Sequence, residues 1–203
     1  MYNANIRDNP FSYIGKTVVI RTLNPDDASL VYLWMQEKFF SYYKPYLKRI
    51  CSSASFLAQR IETLASLDIP FEIEALVLHR RSNVPLGLVS LSNIDTINLK
   101  AEFSMAFSRG LGTRCVPETL GFLFQYVFFT LKLNKVYFYI TSDNNRILKM
   151  IQHYHVLQEG KLCKEVLSEN GEWLDMYRFG ILLEDWMQSP LYKKLRNIAK
   201  SLR

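Results

Sequence analysis

Residues 107–118 read Phe-Ser-Arg-Gly-Leu-Gly-Thr-Arg-Cys-Val-Pro-Glu and join a strand-like run to a long apolar helical pattern. The two glycines permit close approach of the backbone to a ligand, and the helix that follows offers unpaired N–H groups and a positive dipole end. These features favour a bound phosphate, whose charge Arg109 and Arg114 would neutralise. A Gly-x-Gly turn also joins strands to helices without any ligand, so the segment alone leaves both interpretations open.

The segments on either side of this loop predict a mixed α and β domain. Strand patterns at 71–78, 85–91 and 101–107 are separated by turn-length gaps and indicate an antiparallel meander. After the loop, a strand at 135–140 lies between two helical patterns, and such a crossover requires parallel pairing with the strand before the loop. The other predicted elements are strands at 17–23, 160–168 and 175–183 and helices at 25–35, 53–67, 117–131 and 145–154.

The length and composition predict one compact domain. The chain has 203 residues, 49% of them apolar, which is enough to bury a full core. Neither a signal peptide nor a membrane-spanning run is expected. Cys51, Cys115 and Cys163 are widely spaced, odd in number and without metal-ligand spacing, so we expect reduced thiols in a cytoplasmic protein that holds no metal.

The net charge of +6 belongs mainly to the C-terminus, because five basic residues and no acidic one follow Asp185. The sequence therefore predicts a domain over 1–186 and a basic amphipathic helix over 187–203, with Leu191, Leu195, Ile198 and Leu202 at helical spacing. Binding to nucleic acid is not expected, since the rest of the chain is nearly neutral. The helix either docks on its own domain or on a second copy in a homodimer, or it binds an acidic surface.

The order of these elements resembles the GNAT acetyltransferase superfamily over roughly residues 14–186, and within it the branch that acetylates ribosomal-protein N-termini, spermidine and similar amines. The resemblance rests on short matches in a shared order rather than on one motif. They are 19–28, 85–91, 101–103, 109–112, 118–120, 126–128, 131–136, 143–144, 159–160 and 170–175.

The resemblance implies an α+β fold with a mostly antiparallel sheet of six or seven strands, flanked by about four helices. It implies acyl transfer from acetyl-CoA to an amine in a ternary complex, with the thioester in a gap where strands 101–107 and 135–140 splay apart. Asn144 matches an asparagine that contacts the pantetheine arm or its ordered surroundings. The pyrophosphate would lie on the loop Arg109, Gly110, Leu111, Gly112, Thr113 and Arg114.

Acetyl transfer requires a base, and Glu102 matches a carboxylate that often serves as one in related enzymes. The alternative is a strand residue that simply faces solvent. Amides at a strand bulge around Met105, Ala106 and Phe107 would bind the thioester oxygen. Glu72 and Glu74 share one face of a strand, where they either face water or select a cationic substrate; we expect solvation.

The acceptor would be a peptide N-terminus, a polyamine or another small primary amine. The aromatic segment 39–46 suits a loop that covers or lines a pocket, and with Trp34 it would shape the acceptor site. A cationic amine could rest on such aromatic rings.

Three departures from the family pattern open a second hypothesis. The loop has two extra residues before Glu118, Ile151 stands where many relatives carry a tyrosine acid, and His155-Val156 replaces a Gly-Phe pair. Tyr154 or His153 would substitute as acid or serve as packing residues, and Cys115 would be a bystander thiol rather than an acyl carrier. The alternative to an acetyltransferase is a degenerate member that binds CoA, a nucleotide or a protein partner, or an enzyme with another acyl donor.

Overall fold

The structure, a computed structural model, describes residues 11–44, 47–67, 71–108, 115–190 and 192–193. Its centre is an eight-stranded sheet. The strands are β1 Tyr13–Ile14, β2 Val18–Thr22, β3 Ile73–His79, β4 Pro85–Asp95, β5 Lys100–Phe107, β6 Lys135–Thr141, β7 Leu157–Leu167 and β8 Trp173–Leu182. They lie in the order β1-β2-β3-β4-β5-β6-β8-β7. The pairing of β5 with β6 is parallel and the other pairings are antiparallel, as predicted. The eighth strand, beyond the six or seven expected, is β1, whose two residues are too few to show an alternating pattern.

Six α-helices flank this sheet in the described ranges, and the two beyond the expected four are α2 and α6. Both are short, so their sequences carry no helical period. The helices are α1 Ala28–Trp34, α2 Leu47–Ile50, α3 Ala54–Ser66, α4 Cys115–Gln125, α5 Asn145–His153 and α6 Leu183–Gln188. A π-helical turn, Tyr126–Thr130, continues α4. None of these helices has the length and apolar character that crossing a membrane requires.

The core has two parts on opposite faces of the sheet, and alternate side chains of β5 contribute to each part. Phe103 and Phe107 pack in a cluster with residues of α4, α5 and α6, whereas Ala106 belongs to a second cluster with residues of α1 and α3. Successive side chains of a strand point to opposite faces, so Glu102 and Ser104 lie on the face that carries α1 and α3. This places the candidate base on the same side as the aromatic segment.

Helix α4 is tied to the start of the chain by Glu118, a buried carboxylate in its first turn. The backbone N–H of Thr17 donates to Glu118 Oε2 at 2.8 Å, and the Thr17 hydroxyl, the Lys16 N–H and the Tyr13 hydroxyl also donate to this carboxylate. A Cβ on Gly15 would lie 2.3 Å from Glu118 Oε1, so the hairpin between β1 and β2 needs glycine at that position. The start of the helix after the glycine loop is thereby fixed against the sheet.

We predict that Glu118→Ala lowers the free energy of unfolding by about 2–3 kcal/mol, because it leaves partly buried N–H and O–H donors without an acceptor. Chemical denaturation with an unchanged m-value would measure the loss. Glu118→Gln is the matched control, since it retains one acceptor oxygen and should cost less. Equal stability of wild type and Glu118→Ala would contradict this role.

Candidate active site

The parallel pair β5–β6 opens into a gap. Its ladder is confined to Lys100–Glu102 on β5 and Lys135–Tyr137 on β6, and the two strands part beyond Glu102 and Tyr137. The splay that the sequence resemblance implies is therefore present. It leaves the last five residues of β5 and the last four of β6 on opposite sides of an opening.

The peptide groups of β5 alternate between its two neighbours. The N–H of Ser108 donates to Leu86 O at 2.8 Å, so the even-numbered residues of β5 point their N–H groups at β4. The amides of Met105 and Phe107 consequently point toward the gap, whereas that of Ala106 points toward β4. The predicted bulge around Met105–Phe107 is wrong, since β4 and β5 pair regularly from Gly87–Phe107 to Ser92–Glu102.

The irregularity of β4 instead lies between Ser92 and Asp95 and shapes the surroundings of Glu102. Asn93 has φ of 49°, in the left-handed region that asparagine tolerates better than most residues. Its Nδ2 donates to Glu102 Oε2 at 3.0 Å. A bulge of this kind redirects a side chain, and here it supplies the carboxylate with a hydrogen-bond donor.

Glu102 is half-buried at the side of a cavity of about 500 Å³. Burial raises the pKa of its carboxyl, because the charged form loses solvation, and the Asn93 hydrogen bond and the Lys44 and Arg178 charges oppose this only in part. A raised pKa makes the carboxylate a better proton acceptor. Glu102 is therefore only partly exposed to solvent, and its role as a base stays a prediction.

Polar groups from β6 and the turn after it complete the wall opposite Glu102. Tyr139, Thr141 and Asn144 line the same cavity, so the structure brings Asn144 and Glu102 to one site. Asn144 precedes α5, and its carbonyl accepts from the Leu148 N–H at 3.1 Å. The buried Thr141 Oγ1 has no hydrogen-bond partner among the described residues.

The aromatic segment contributes Tyr42, Tyr43 and Lys44 to this cavity. The Tyr42 hydroxyl donates to Asp143 Oδ2 at 3.2 Å and so links the segment to the start of α5. Trp34 is not among the residues that line the cavity; it packs edge-on against Phe39. The prediction that 39–46 lines a pocket is therefore confirmed for Tyr42–Lys44, but Lys38–Tyr42 forms a 3-10 helix rather than a loop. The pocket role expected of Trp34 is not observed.

Lys44 belongs to a buried ionic network that the sequence analysis missed. Its Nζ donates to Glu74 Oε1 at 2.7 Å and to Glu72, and Arg60 of α3 pairs with Glu74 at 2.7 Å and Glu72 at 2.5 Å. Burial alone would raise the pKa of Glu74, but Lys44 and Arg60 hold it below its usual value. The expectation that Glu72 and Glu74 face water is wrong, since they are 7% and 9% exposed.

The only signal of this network in the sequence is a lysine within an aromatic run and an arginine beside the apolar stripe of α3. Neither position shows which carboxylates it meets, because the partners lie 12 to 30 residues away along the chain. The ion pairs of Arg60 with Glu72 and Glu74 form only when α3 packs on the sheet.

The glycine loop Arg109–Arg114 lies outside the described residues, so its two extra positions are not located. Cys115 is buried as the first residue of α4. Ile151 is a core residue of α5, whereas His153 and Tyr154 are exposed and do not line the cavity of Glu102. His155 has φ of 51°, in the left-handed region that glycine adopts without strain.

Among the described residues no cluster of three or more histidine, cysteine, aspartate or glutamate side chains could hold a metal ion. The three cysteines all lie in described segments and form no disulfide.

Comparison with known families gives a match over residues 17–156 to a model described as an acetyltransferase (GNAT) domain. YdaF of Bacillus subtilis (strain 168), which is named a ribosomal N-acetyltransferase, is 28% identical over 101 residues. That alignment covers 49% of this chain and 55% of YdaF, so the chain matches about half the length of this curated relative.

Solved structures share the fold at low sequence identity. A spermidine/spermine N-acetyltransferase, SpeG of Vibrio cholerae in complex with manganese ions, has a TM-score of 0.69 and 20% identity, over 85% of this chain and 96% of its own. A chimera of the Vibrio cholerae SpeG and hSSAT has a TM-score of 0.72 and 20% identity, over 85% and 99%.

Proposed function

Since this chain belongs to the GNAT acetyltransferase family, we propose that it transfers an acetyl group from acetyl-CoA to a primary amine, with both substrates bound together. The observation that carries the proposal is the gap between β5 and β6, which opens beside a half-buried carboxylate with a raised pKa. A gap next to a proton acceptor is what an attacking amine and a thioester need in order to meet.

Glu102 is the general base in this reaction. It takes a proton from the amine, directly or through one water, while the nitrogen bonds to the acetyl carbon and the carbon–sulfur bond breaks. The departing thiolate is a good leaving group, so no strong acid is needed and Ile151 is compatible with turnover. The amides of Met105 and Phe107 stabilise the charge that develops on the carbonyl oxygen.

The remaining contacts to acetyl-CoA follow the chain around the gap. Ala106 packs in the core on the face of the sheet that carries α1, α3 and Glu102, and Asn144 contacts the pantetheine arm from the start of α5. Helix α4 begins at Cys115, directly after the glycine loop, so the loop leads into a helix N-terminus that favours phosphate. The pyrophosphate would contact Arg109, Gly110, Leu111, Gly112, Thr113 and Arg114.

The names of the relatives support amines as acceptors: a peptide N-terminus, a polyamine or a smaller amine. We place the reaction in the cytoplasm, because three thiols without a disulfide suit a reducing compartment. A homodimer is the proposed assembly, since β7 is an edge strand with mostly exposed residues. We propose a domain over 1–186 followed by a basic helical segment over 187–203, with the boundary inside α6.

The proposal predicts that acetyl-CoA stabilises the protein. At 100 times the dissociation constant, a ligand of the native state adds about 2.7 kcal/mol. In a chain of this size the thermal midpoint should then rise by about 5–10 °C. A thiol reagent would measure CoA release with an amine panel in parallel. Absence of both the shift and thiol release would reject the enzyme and favour a degenerate member.

Gly112→Arg should abolish the acetyl-CoA shift, because a side chain there would occupy the proposed phosphate seat. The matched control is Gly160→Arg on β7, where a Cβ would meet open space and the shift should persist. A full shift in Gly112→Arg would place the phosphate elsewhere.

A further inference from the structure

The cavity of Glu102 has apolar and aromatic walls where β6, β7 and β8 form it. Its lining there includes Tyr139, Ile140, Val166, Leu167, Trp173 and Met176. Leu167 and Trp173 pair across the end of the β7–β8 hairpin, which brings both side chains to the same face of the sheet. Trp173 is 59% exposed, so its ring is open to an incoming group. This wall offers large apolar area and few polar partners.

The two carboxylates that Lys44 contacts, Glu72 and Glu74, are already neutralised. Lys44 and Arg60 pair with both Glu72 and Glu74, and Lys44 itself lines the cavity. A second cation that approached these glutamates would have to displace a buried ion pair, which is costly. Glu72 and Glu74 are therefore not available to bind a cationic substrate, although their position in the sequence suggested it.

Among the described residues that line the cavity, Glu102 and Glu165 are the carboxylates, and the charge of Lys44 is paired with Glu72 and Glu74. Glu165 is exposed at the rim. An extended polyamine carries several ammonium groups, and each one that enters an apolar cavity without a carboxylate loses its solvation. One ammonium can meet Glu102, and a second can meet only the exposed Glu165 at the rim, because the apolar wall between them supplies no carboxylate.

We propose that the preferred acceptor carries a single ammonium group on a large apolar or aromatic substituent. The amine meets Glu102, and the substituent passes Met176, which lies on the same face of the sheet as Glu102, and reaches the exposed Trp173 at the end of the β7–β8 hairpin. This chemistry is shared by a peptide whose first residue is large and apolar and by a free arylalkylamine. The inference rests on the proposed acetyl transfer to amines and specifies its substrate class.

The test compares kcat/KM for acetyl transfer from acetyl-CoA at low salt, measured by thiol release. The acceptors are C-terminally amidated tripeptides that begin with Phe or Ala and end in Ala-Ala, together with 2-phenylethylamine, ethylamine and spermidine. We expect kcat/KM of the aromatic acceptor of each pair to exceed that of the small acceptor by about 10–100-fold, since a hydrophobic pocket favours the substrate that fills it with more apolar groups. Spermidine should be at least about 10-fold poorer than the aromatic acceptors. The ratio of kcat/KM for the Phe peptide to kcat/KM for 2-phenylethylamine shows whether a peptide or a free arylalkylamine is the preferred acceptor.

Trp173→Ala should reduce the ratio of aromatic to small acceptors at least about fivefold, because the substituent loses its main contact. Tyr154→Ala is the matched control, since Tyr154 is an aromatic residue of similar exposure, 57%, that lines a different pocket. In that variant the ratio should not change.

Equal or better use of spermidine would overturn the inference while leaving the proposed acetyltransferase intact. So would an aromatic-to-small ratio that Trp173→Ala leaves unchanged. Absence of thiol release with every amine, together with no thermal shift by acetyl-CoA, would instead reject the proposed function itself.

Discussion

The Glu102→Gln variant is expected to acetylate its amine acceptor about 10²–10⁴-fold more slowly than the wild type, because an amide cannot take the amine proton. Glutamine has the size of glutamate and keeps an oxygen that can accept from Asn93, which donates to Glu102 at 3.0 Å. The cavity shape and the acetyl-CoA thermal shift should therefore persist. Steady-state kcat at saturating acetyl-CoA measures the loss.

The pH profile of the wild type provides a second measurement of the same group. Burial raises the pKa of Glu102, with the Asn93 hydrogen bond and the Lys44 charge opposing it. A general base must be ionised, so kcat/KM should fall as the pH drops through a pKa above the ordinary value of 4.5. Glu102→Gln should lack this limb.

Stability separates a catalytic Glu102 from a structural one. Because its pKa is raised on folding, the folded state holds the proton more tightly than the unfolded state does, and ionisation costs stability above that pKa. Glutamine removes this cost, so the thermal midpoint at pH 7 should be unchanged or higher. Loss of activity together with a lower midpoint would indicate a structural role.

Glu165→Gln is the control for Glu102→Gln, since Glu165 lines the same cavity but is exposed. It should change kcat less than about threefold, a range typical of groups outside the proton path. Unchanged turnover of Glu102→Gln across the pH range would exclude Glu102 as the base.

Lys44→Met is expected to lower the free energy of unfolding by about 3–5 kcal/mol, because removal of one partner leaves a buried charge uncompensated. Lys44 is 3% exposed, and its ammonium donates to both Glu72 and Glu74. Methionine fills similar volume, so the loss reflects charge rather than a cavity. Urea unfolding would measure it.

Two further variants identify the cause of that loss. Lys149→Met on the exposed face of α5 should stay within about 0.5 kcal/mol of the wild type. Glu72→Gln added to Lys44→Met should recover part of the stability, since one uncompensated carboxylate is removed. A Lys44→Met protein as stable as the wild type would show that the network contributes little.

The network should also set the response to acid. Lys44 and Arg60 hold the pKa of Glu74 below its ordinary value of 4.5, so the stability from this group is present above that value and is lost as the pH falls through the lowered pKa. In Lys44→Met this loss should be smaller, because the pKa of Glu74 is then less depressed. Urea unfolding at pH 7 and pH 4 compares the two proteins.

Local patterns in the sequence were sufficient for most of the framework. The alternation in 71–78, 85–91 and 101–107 is a property of neighbouring residues, and the meander β3-β4-β5 follows from it. The cap at Ser53, whose Oγ accepts from the Phe56 N–H at 3.1 Å, likewise begins α3 within the expected range. Such elements are predictable because their causes lie within a few residues.

Predictions failed where the deciding partner is distant in the chain. Alternation placed Glu72 and Glu74 on one face correctly, but it could not show that Lys44 and Arg60 cover that face. The bulge was expected around Met105 and instead lies near Asn93, because strand register depends on both strands of a pair.

By itself the sequence determined the order of strands and helices, the position of the glycine loop 109–114 between a strand and a helix, and the placement of Glu102 on that strand. Only the tertiary structure decided how these parts act together. It separates β5 from β6 beside Glu102 and partly buries that carboxylate. It also brings Lys44 and Arg60, which lie 12 to 30 residues away along the chain, against Glu72 and Glu74. The physical reason is that secondary structure arises from neighbouring residues, whereas burial and charge pairing depend on which surfaces pack together.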